Sequence, residues 1–305
     1  MRVHHLNCIS SCPLGGKLMD DRSNALRGRL VNHCLLVETA TSLVLVDTGF
    51  GLRDVEAPRT RLSRFFLALN SPELRREMTA VRQIERLGFD PRDVRNIVLT
   101  HLDFDHAGGL DDFPHAAVHM LALERDAAVA QRTLLDRMRY RPQQWGLTAA
   151  NWHAYQAGEG EPWLGFDCVR DLDGVAPEIL MLPLIGHTLG HAGVAIEGDH
   201  GWILLTGDAY FFHREMDLER PYCTPGLRLY QWMMEKDRGA RLWNQKRLRA
   251  LKMQQGSEVR IFCSHDPTEF ERLAGRPAWD PAANVRPSAA PMQIVVDNDE
   301  GLRGR

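Results

Sequence analysis

The chain has 305 residues, with 37 Lys and Arg against 40 Asp and Glu, a formal net charge of −3, and 44% apolar residues. This is the composition of a folded protein rather than a disordered one, and the length allows one large domain or two small ones at about 100–200 residues each. The charge balance lacks the basic footprint of a nucleic-acid binder, and no apolar run reaches the ~20 residues of a membrane span.

The opening MRVHHLNC has no apolar signal-peptide core, so a cytoplasmic protein is expected. The six cysteines, Cys8, Cys12, Cys34, Cys168, Cys223 and Cys263, are too scattered for a disulfide framework and read as free thiols in a reducing compartment. Cys8 and Cys12, with His4 and His5 nearby, form a possible metal pair, but no second Cys/His pair at finger spacing supports it.

Short apolar runs alternate with longer amphipathic stretches, which predicts a mixed α/β fold. Residues 33–38 (HCLLVE) and 42–46 (SLVLV) read as strands, the second ending in the turn Asp47-Thr48-Gly49. Ser71-Pro72-Glu73 offers a helix N-cap with proline at the first helical position, ahead of Met78, Val81, Ile84 and Leu87 at helical spacing. Strand-like runs come next at 95–100, 179–185, 202–206 and 260–263, and helical, charged stretches at 122–140 and 240–252. The basic residues of the last stretch read as a solvated face. No repeat or low-complexity linker divides the chain, so one domain over 1–275 is expected, with an irregular, proline-containing tail over 276–305.

The informative feature lies at the C-terminal ends of four of these strands. RNIVLT runs into His101-Leu102-Asp103-Phe104-Asp105-His106-Ala107-Gly108-Gly109, ILMLPLI into Gly186-His187-Thr188-Leu189-Gly190-His191, WILLT into Gly207-Asp208, and RIFC into Ser264-His265-Asp266. Open α/β sheets place ligand sites at the C-terminal ends of strands. A single His-x-Asp read alone is as well explained by a helix cap and a satisfied core histidine. The packed run HLDFDH is different: its carboxyl and imidazole groups would repel or stay unsatisfied around an empty cavity, and a metal removes that difficulty.

The stretches LVDTGFG, LTHLDFDHAGGL, IGHTLGHAG, LLTGDAYF and FCSHD resemble, in order and spacing, the metallo-β-lactamase superfamily, and most of all its N-acyl homoserine lactonase branch. The resemblance covers roughly residues 1–273. It implies a four-layer αβ/βα sandwich with a two-metal site at the sheet edge, and activity as a hydrolase. It also implies a first metal held by His101, His187 and the residue at 103. Asp105, His106 and His265 would hold the second, and Asp208 would bridge both. Two divalent ions are expected, zinc first, with iron or manganese as alternatives.

The departure is at 103, where the usual pattern His-x-His-x-Asp-His has histidine and this chain has Asp103. Three readings stand: direct ligation, which is favoured; a side chain too short to reach; or a harder site suited to iron or manganese. Flavodiiron oxidoreductases of the superfamily carry Glu at this place. Asp105 and Asp208 are candidates to pass a proton to the leaving group. Tyr210 lies one residue short of a lactonase tyrosine, and reads equally as a donor to the substrate carbonyl or as a packed aromatic. His191, Asp47 and Asp266 read as groups that orient the ligands, and Phe104 as a pocket wall. His4, His5, His115, His119, His153, His200 and His213 have no supporting spacing.

The expected chemistry is hydrolysis. A water shared by two cations loses a proton near neutral pH and attacks a lactone or carboxylic ester carbonyl. A thioester hydrolase of the glyoxalase II type is the alternative, and after it a di-iron oxidoreductase and a non-catalytic ligand-binding member. Residues 52–71 and 122–163 are expected to cover the pocket, with Trp145, Trp152, Tyr155 and Trp163 as an apolar wall. The partner is a small ester or lactone. A homodimer is one option for the assembly, whose state the sequence leaves open.

Overall fold

The computed structural model describes residues 1–158, 162–167, 172–199 and 201–279. Among the described residues ten strands form two sheets. The first has six in chain order: β1 (Arg2–Asn7), β2 (His33–Glu38), β3 (Leu43–Val46), β4 (Val94–Val98), β5 (Ala117–Leu121) and β6 (Trp152–Tyr155). The second has β7 (Ile179–Pro183), β8 (Ala192–Gly198), β9 (Gly201–Leu205) and β10 (Val259–Phe262), in the order β10-β9-β8-β7.

Strand periodicity sets the layers, because alternate side chains take opposite faces. Leu35, Val37, Val44, Val46 and Val98 on one sheet share a buried cluster with Met181, Val194, Ile196, Leu205 and Phe262 on the other. The intervening residues Leu36, Leu45 and Ile97 face outward and meet Val81 and Ile84 of the helix Ala80–Arg86. On the far side, Leu182, Ala195 and Leu204 meet Leu248 and Leu251 of the helix Arg238–Gln255. The layers are helix, sheet, sheet, helix: the expected four-layer αβ/βα sandwich.

The topology gathers the loops that matter. β3 and β4 are parallel, so 47–49 and 99–109 leave the first sheet at one edge. β9 and β10 are parallel to each other, and β8 is antiparallel to both β7 and β9. β7, β9 and β10 therefore all run one way, and their C-terminal loops leave the second sheet together.

The six strands expected from the sequence are present within one or two residues, while β1, β5, β6 and β8 come in addition to them. Ser71 does not start a helix: it closes the helix Arg64–Asn70 as its C-cap in the left-handed region, at φ 40°, and its N–H donates to the Leu67 carbonyl. The next helix begins only at Ala80, after the 3-10 turn Arg76–Met78. The stretch 122–140 is two helices, Ala122–Ala130 and Leu134–Arg139, broken at Gln131 with φ 41°. Part of the expected tail belongs to the body. The Asn7 amide donates to the Ala278 carbonyl at 3.1 Å, and the Trp279 indole to Ser10 at 2.9 Å. The remainder, 280–305, lies outside the described residues. Among the described residues no helix is long and apolar enough to cross a membrane.

Candidate metal centre

Four strand ends bring seven side chains to one place. His101, Asp103, Asp105 and His106 come after β4, with Asp103 just ahead of the one-turn helix Phe104–Ala107 and accepting the His106 and Ala107 N–H groups on its carbonyl. His187 comes after β7, Asp208 after β9, and His265 after β10. Their donor atoms fall into three overlapping groups, each within 4.8 Å: His101, Asp103 and His187; His101, His106 and Asp208; Asp105, His106 and His265.

Asp208 lies between the two halves. Its Oδ1 is 3.0 Å from His265 Nε2 and 3.4 Å from His106 Nε2, while Oδ2 is 3.4 Å from His187 Nε2 and 3.8 Å from His101 Nε2. Asp103 Oδ2 is 3.1 Å from His187 Nε2 and 3.6 Å from His101 Nε2. Asp105 Oδ2 is 3.9 Å from His265 Nε2. All seven side chains are buried except Asp105, which keeps 14% of its surface exposed and marks the open side.

The outer contacts fix which nitrogens point inward. His106 Nδ1 lies 2.8 Å from Asp47, whose carboxylate also accepts the Thr100 N–H at 2.8 Å and hydroxyl at 2.7 Å. His265 Nδ1 donates to the Val31 carbonyl at 2.8 Å. With both Nδ1 atoms engaged, the two Nε2 atoms face each other at 3.3 Å, beside the carboxylates. Neutral imidazoles so oriented offer only lone pairs. Asp208 Oδ1 and His101 Nε2 are buried without a hydrogen-bond partner among the described residues. Such a convergence requires protons or cations, and the donor set of four imidazoles and three carboxylates fits two divalent metals.

The protein groups alone already show this tension. Burial disfavours charge on His106, yet Asp208 and Asp47 hold its imidazole well above the usual histidine range. Burial and the neighbouring His106 push His101 well below it. Burial raises the Asp105 carboxyl. For Asp103 and Asp208 burial is outweighed, by Arg139 and His101 in the first case and by His265 and His106 in the second, and both stay well below the ordinary carboxylate range.

His191 has the orienting contacts expected of it. Its Nδ1 donates to the Leu184 carbonyl at 2.8 Å, and its Nε2 accepts the Asp208 N–H at 2.8 Å. Asp266 touches no ligand side chain; it caps the helix Pro267–Ala274 and binds the His213 ring and N–H. Phe104 packs on Phe66, centroids 4.4 Å apart, so the helix from the 52–71 segment does border the site.

Tyr210 is not at the site. It is fully buried in the core outside the second sheet, and its hydroxyl donates to Glu269 at 2.9 Å. The backbone there turns Asp208 inward and Tyr210 toward the helix Pro267–Ala274. The expected tryptophan wall is absent too. Trp145 meets Trp152 at a tilt in the outer core, Trp163 meets Trp202 edge-on, and Tyr155 contacts His119. The aromatic surface near the ligands is instead Phe104 with Phe66, and Phe211 with Tyr230. Phe211 stacks on the His265 ring at 5.1 Å, and Tyr230 meets Phe211 edge-on at 5.5 Å.

The sequence did not single out Tyr230, Glu124 or Arg139. Glu124 clamps two ligand loops together, accepting the Leu102 N–H at 2.9 Å, the Thr188 hydroxyl, and the Gly190 N–H at 3.2 Å. Gly190 has to be glycine, because a methyl there would collide with the Glu124 backbone. Arg139, fully buried, lies 3.3 Å from Asp103. All three sit on helices remote in sequence from the motifs, and carry no local signature. The five described cysteines take no part: Cys8, Cys12, Cys34 and Cys263 are buried and free and Cys223 is half-buried, while Cys168 lies outside the described residues.

A probable metallo-hydrolase of Mycobacterium tuberculosis is 38% identical over 275 residues, spanning 89% of this chain and 82% of the relative. An N-acyl homoserine lactonase of Bacillus thuringiensis is 28% identical over 217 residues, 69% of this chain and 78% of the relative. Among solved structures, an N-acyl homoserine lactone hydrolase with N-hexanoyl-L-homoserine at its catalytic metal centre superposes with a TM-score of 0.65 and 23% identity. That match covers 88% of this chain and 95% of the other, a likeness of fold. The model of the metallo-beta-lactamase superfamily matches residues 27–265, so this chain, with its sandwich fold and its His/Asp cluster at the sheet edge, belongs to that superfamily.

Proposed function

We propose that the protein is a dinuclear metal-dependent hydrolase that opens lactones or cleaves carboxylic esters. The observation that carries this reading is a convergence of ligand atoms: the Nε2 atoms of His106 and His265 and the Oδ1 of Asp208 lie within 3.4 Å of one another, a spacing that needs shared protons or a cation. In this reading His101, Asp103 and His187 would hold one divalent ion and Asp105, His106 and His265 the other, with Asp208 placed between the two sets to serve both. Zinc suits the imidazole-rich set best. Bound cations would supply Lewis acidity at the carbonyl and a water acidic enough to react near neutral pH.

The chain's own residues divide the remaining work. Asp105, the most exposed of the carboxylates, is placed to carry a proton to the leaving alkoxide. Tyr230, rather than Tyr210, takes the role of donor to the substrate. Its hydroxyl makes no hydrogen bond to any described residue, and burial together with Asp105, Asp208 and Asp103 keeps it protonated, well above the ordinary tyrosine range. A protonated phenol beside the carboxylates can donate to the substrate carbonyl oxygen. The partly exposed aromatic rings of Phe104 and Phe66 suit an acyl chain. The neutral-ester preference is supported by the lactonases among the relatives.

A turnover screen of N-acyl homoserine lactones, aryl esters and acyl thioesters, with metal-loaded and chelator-treated protein, tests the reading. Turnover of lactones or esters that chelation abolishes and added zinc restores is expected. Turnover indifferent to chelation, or confined to thioesters, contradicts it.

A further inference from the structure

Arg139 ends the helix Leu134–Arg139, and its side chain is completely buried. Its Nη1 donates to the His187 carbonyl at 2.9 Å, its Nη2 to the Met234 carbonyl at 2.8 Å, and its Nε lies 3.3 Å from Asp103 Oδ1. The Asp103 carboxylate is thereby divided. Oδ1 faces the guanidinium, and Oδ2 faces the Nε2 atoms of His187 and His101. A guanidinium cannot lose its proton in a protein, and a buried charge without a counter-ion is strongly unfavourable. Among the described residues Asp103 is the one carboxylate within ion-pair distance of Arg139.

We propose that Arg139 is a positioning residue that acts with Asp103 as one unit. The guanidinium cancels the carboxylate's charge and engages Oδ1, leaving Oδ2 as a single oriented donor to the first cation. With Arg139 counted, the three carboxylates Asp103, Asp105 and Asp208 offer the cations the net charge of two. The Asp103–Arg139 pair therefore leaves the site as anionic as a neutral imidazole at 103 with no arginine behind it would. The inference rests on the reading that the cluster holds two cations. It carries an unexpected corollary: histidine placed at 103 alone harms the site, because it strands Arg139 beside the cations.

The test is a double-mutant cycle in metal affinity, with Asp103→His, Arg139→Met and the double variant. Zinc affinity is read on metal-stripped protein by competition with a chromogenic chelator, and folding by circular dichroism. Arg139→Gln, which keeps a donor for the carbonyls without the charge, replaces Met throughout if the Met variants do not fold. Asp103→His is expected to weaken zinc binding roughly tenfold or more, and the second substitution to recover most of that loss. If Arg139 only braces the two carbonyls, its removal has the same effect whichever residue stands at 103, and Asp103→His binds as the wild type does. That additive result overturns the proposal while leaving the dinuclear reading intact. Wild-type protein that takes up no zinc overturns both.

Discussion

The backbone N–H of Asp208 donates to His191 Nε2 at 2.8 Å, and His191 passes its own Nδ1 proton to the Leu184 carbonyl at 2.8 Å. A neutral ring is required for both bonds, and burial with the nearby His187 lowers the His191 pKa to about 3. His191→Phe should cost about 1–3 kcal/mol of stability, since it leaves a buried N–H and a buried carbonyl unpaired. Activity should fall by roughly 10–100-fold, as expected when a ligand loses its orienting partner. Gly207→Ala should act alike, because Gly207 has φ 54° and an added methyl would strike the His191 ring. Urea denaturation and steady-state kinetics on the three proteins read these effects.

Asp208 and Asp105 should differ in metal stoichiometry. Each Asp208 oxygen faces a different pair of histidines, whereas Asp105 groups with His106 and His265 alone. Asp208→Ala should reduce the bound metal at both positions, and Asp105→Ala should retain about one ion per chain. Elemental analysis after dialysis distinguishes them; equal stoichiometries would remove the bridging role.

Tyr230 and Tyr210 are expected to separate function from stability. Tyr230→Phe should lower kcat by about tenfold or more with metal content unchanged, because it removes a donor aimed at developing charge. Tyr210→Phe should leave kcat near the wild-type value and lower stability by about 1 kcal/mol or more through the lost bond to Glu269. Parallel kinetics and thermal denaturation check both, and a reversed pattern would return the catalytic role to Tyr210.

Much of the site was legible because chemistry-bearing residues sit directly at strand ends. The runs at 101–106, 187–191, 207–208 and 264–266 needed only the rule that ligands gather at strand C-termini. The strands at 33–38 and 42–46 were legible as short apolar runs, and the two-sheet sandwich followed from the resemblance to the superfamily. Arg139 and Glu124 were not, since each reads as one more charged residue in a helical stretch and is identified only by where tertiary packing buries it. Tyr230 lies 22 positions beyond Asp208, on the helix Pro225–Met234, so no local spacing could find it. Ser71 carried a capping signal that the preceding helix, Arg64–Asn70, overrode by ending on it.

Acid should destabilise the metal-free protein from about pH 6.5 downward. Burial, together with nearby positive charge, depresses His5 to about 4, and burial with His153 depresses His119 to about 4. The unfolded chain takes up these protons near pH 6.5. The stability the neutral rings contribute is therefore complete above that pH, and declines as pH falls toward 4. His119 sits between the Tyr155 hydroxyl at 2.8 Å and Asn96 Oδ1 at 3.0 Å, an arrangement that suits a neutral ring. His119→Gln should flatten the decline by up to about 1.4 kcal/mol per pH unit. Urea denaturation in chelator from pH 7 to 4 measures the slope, and an unchanged slope would show that His119 is already charged in the folded state.

The most direct test of the central claim is elemental analysis of the purified wild-type protein, before and after incubation with zinc. The seven-residue cluster predicts about two divalent ions per chain. Less than about half an equivalent, with no uptake on adding zinc, would contradict the account.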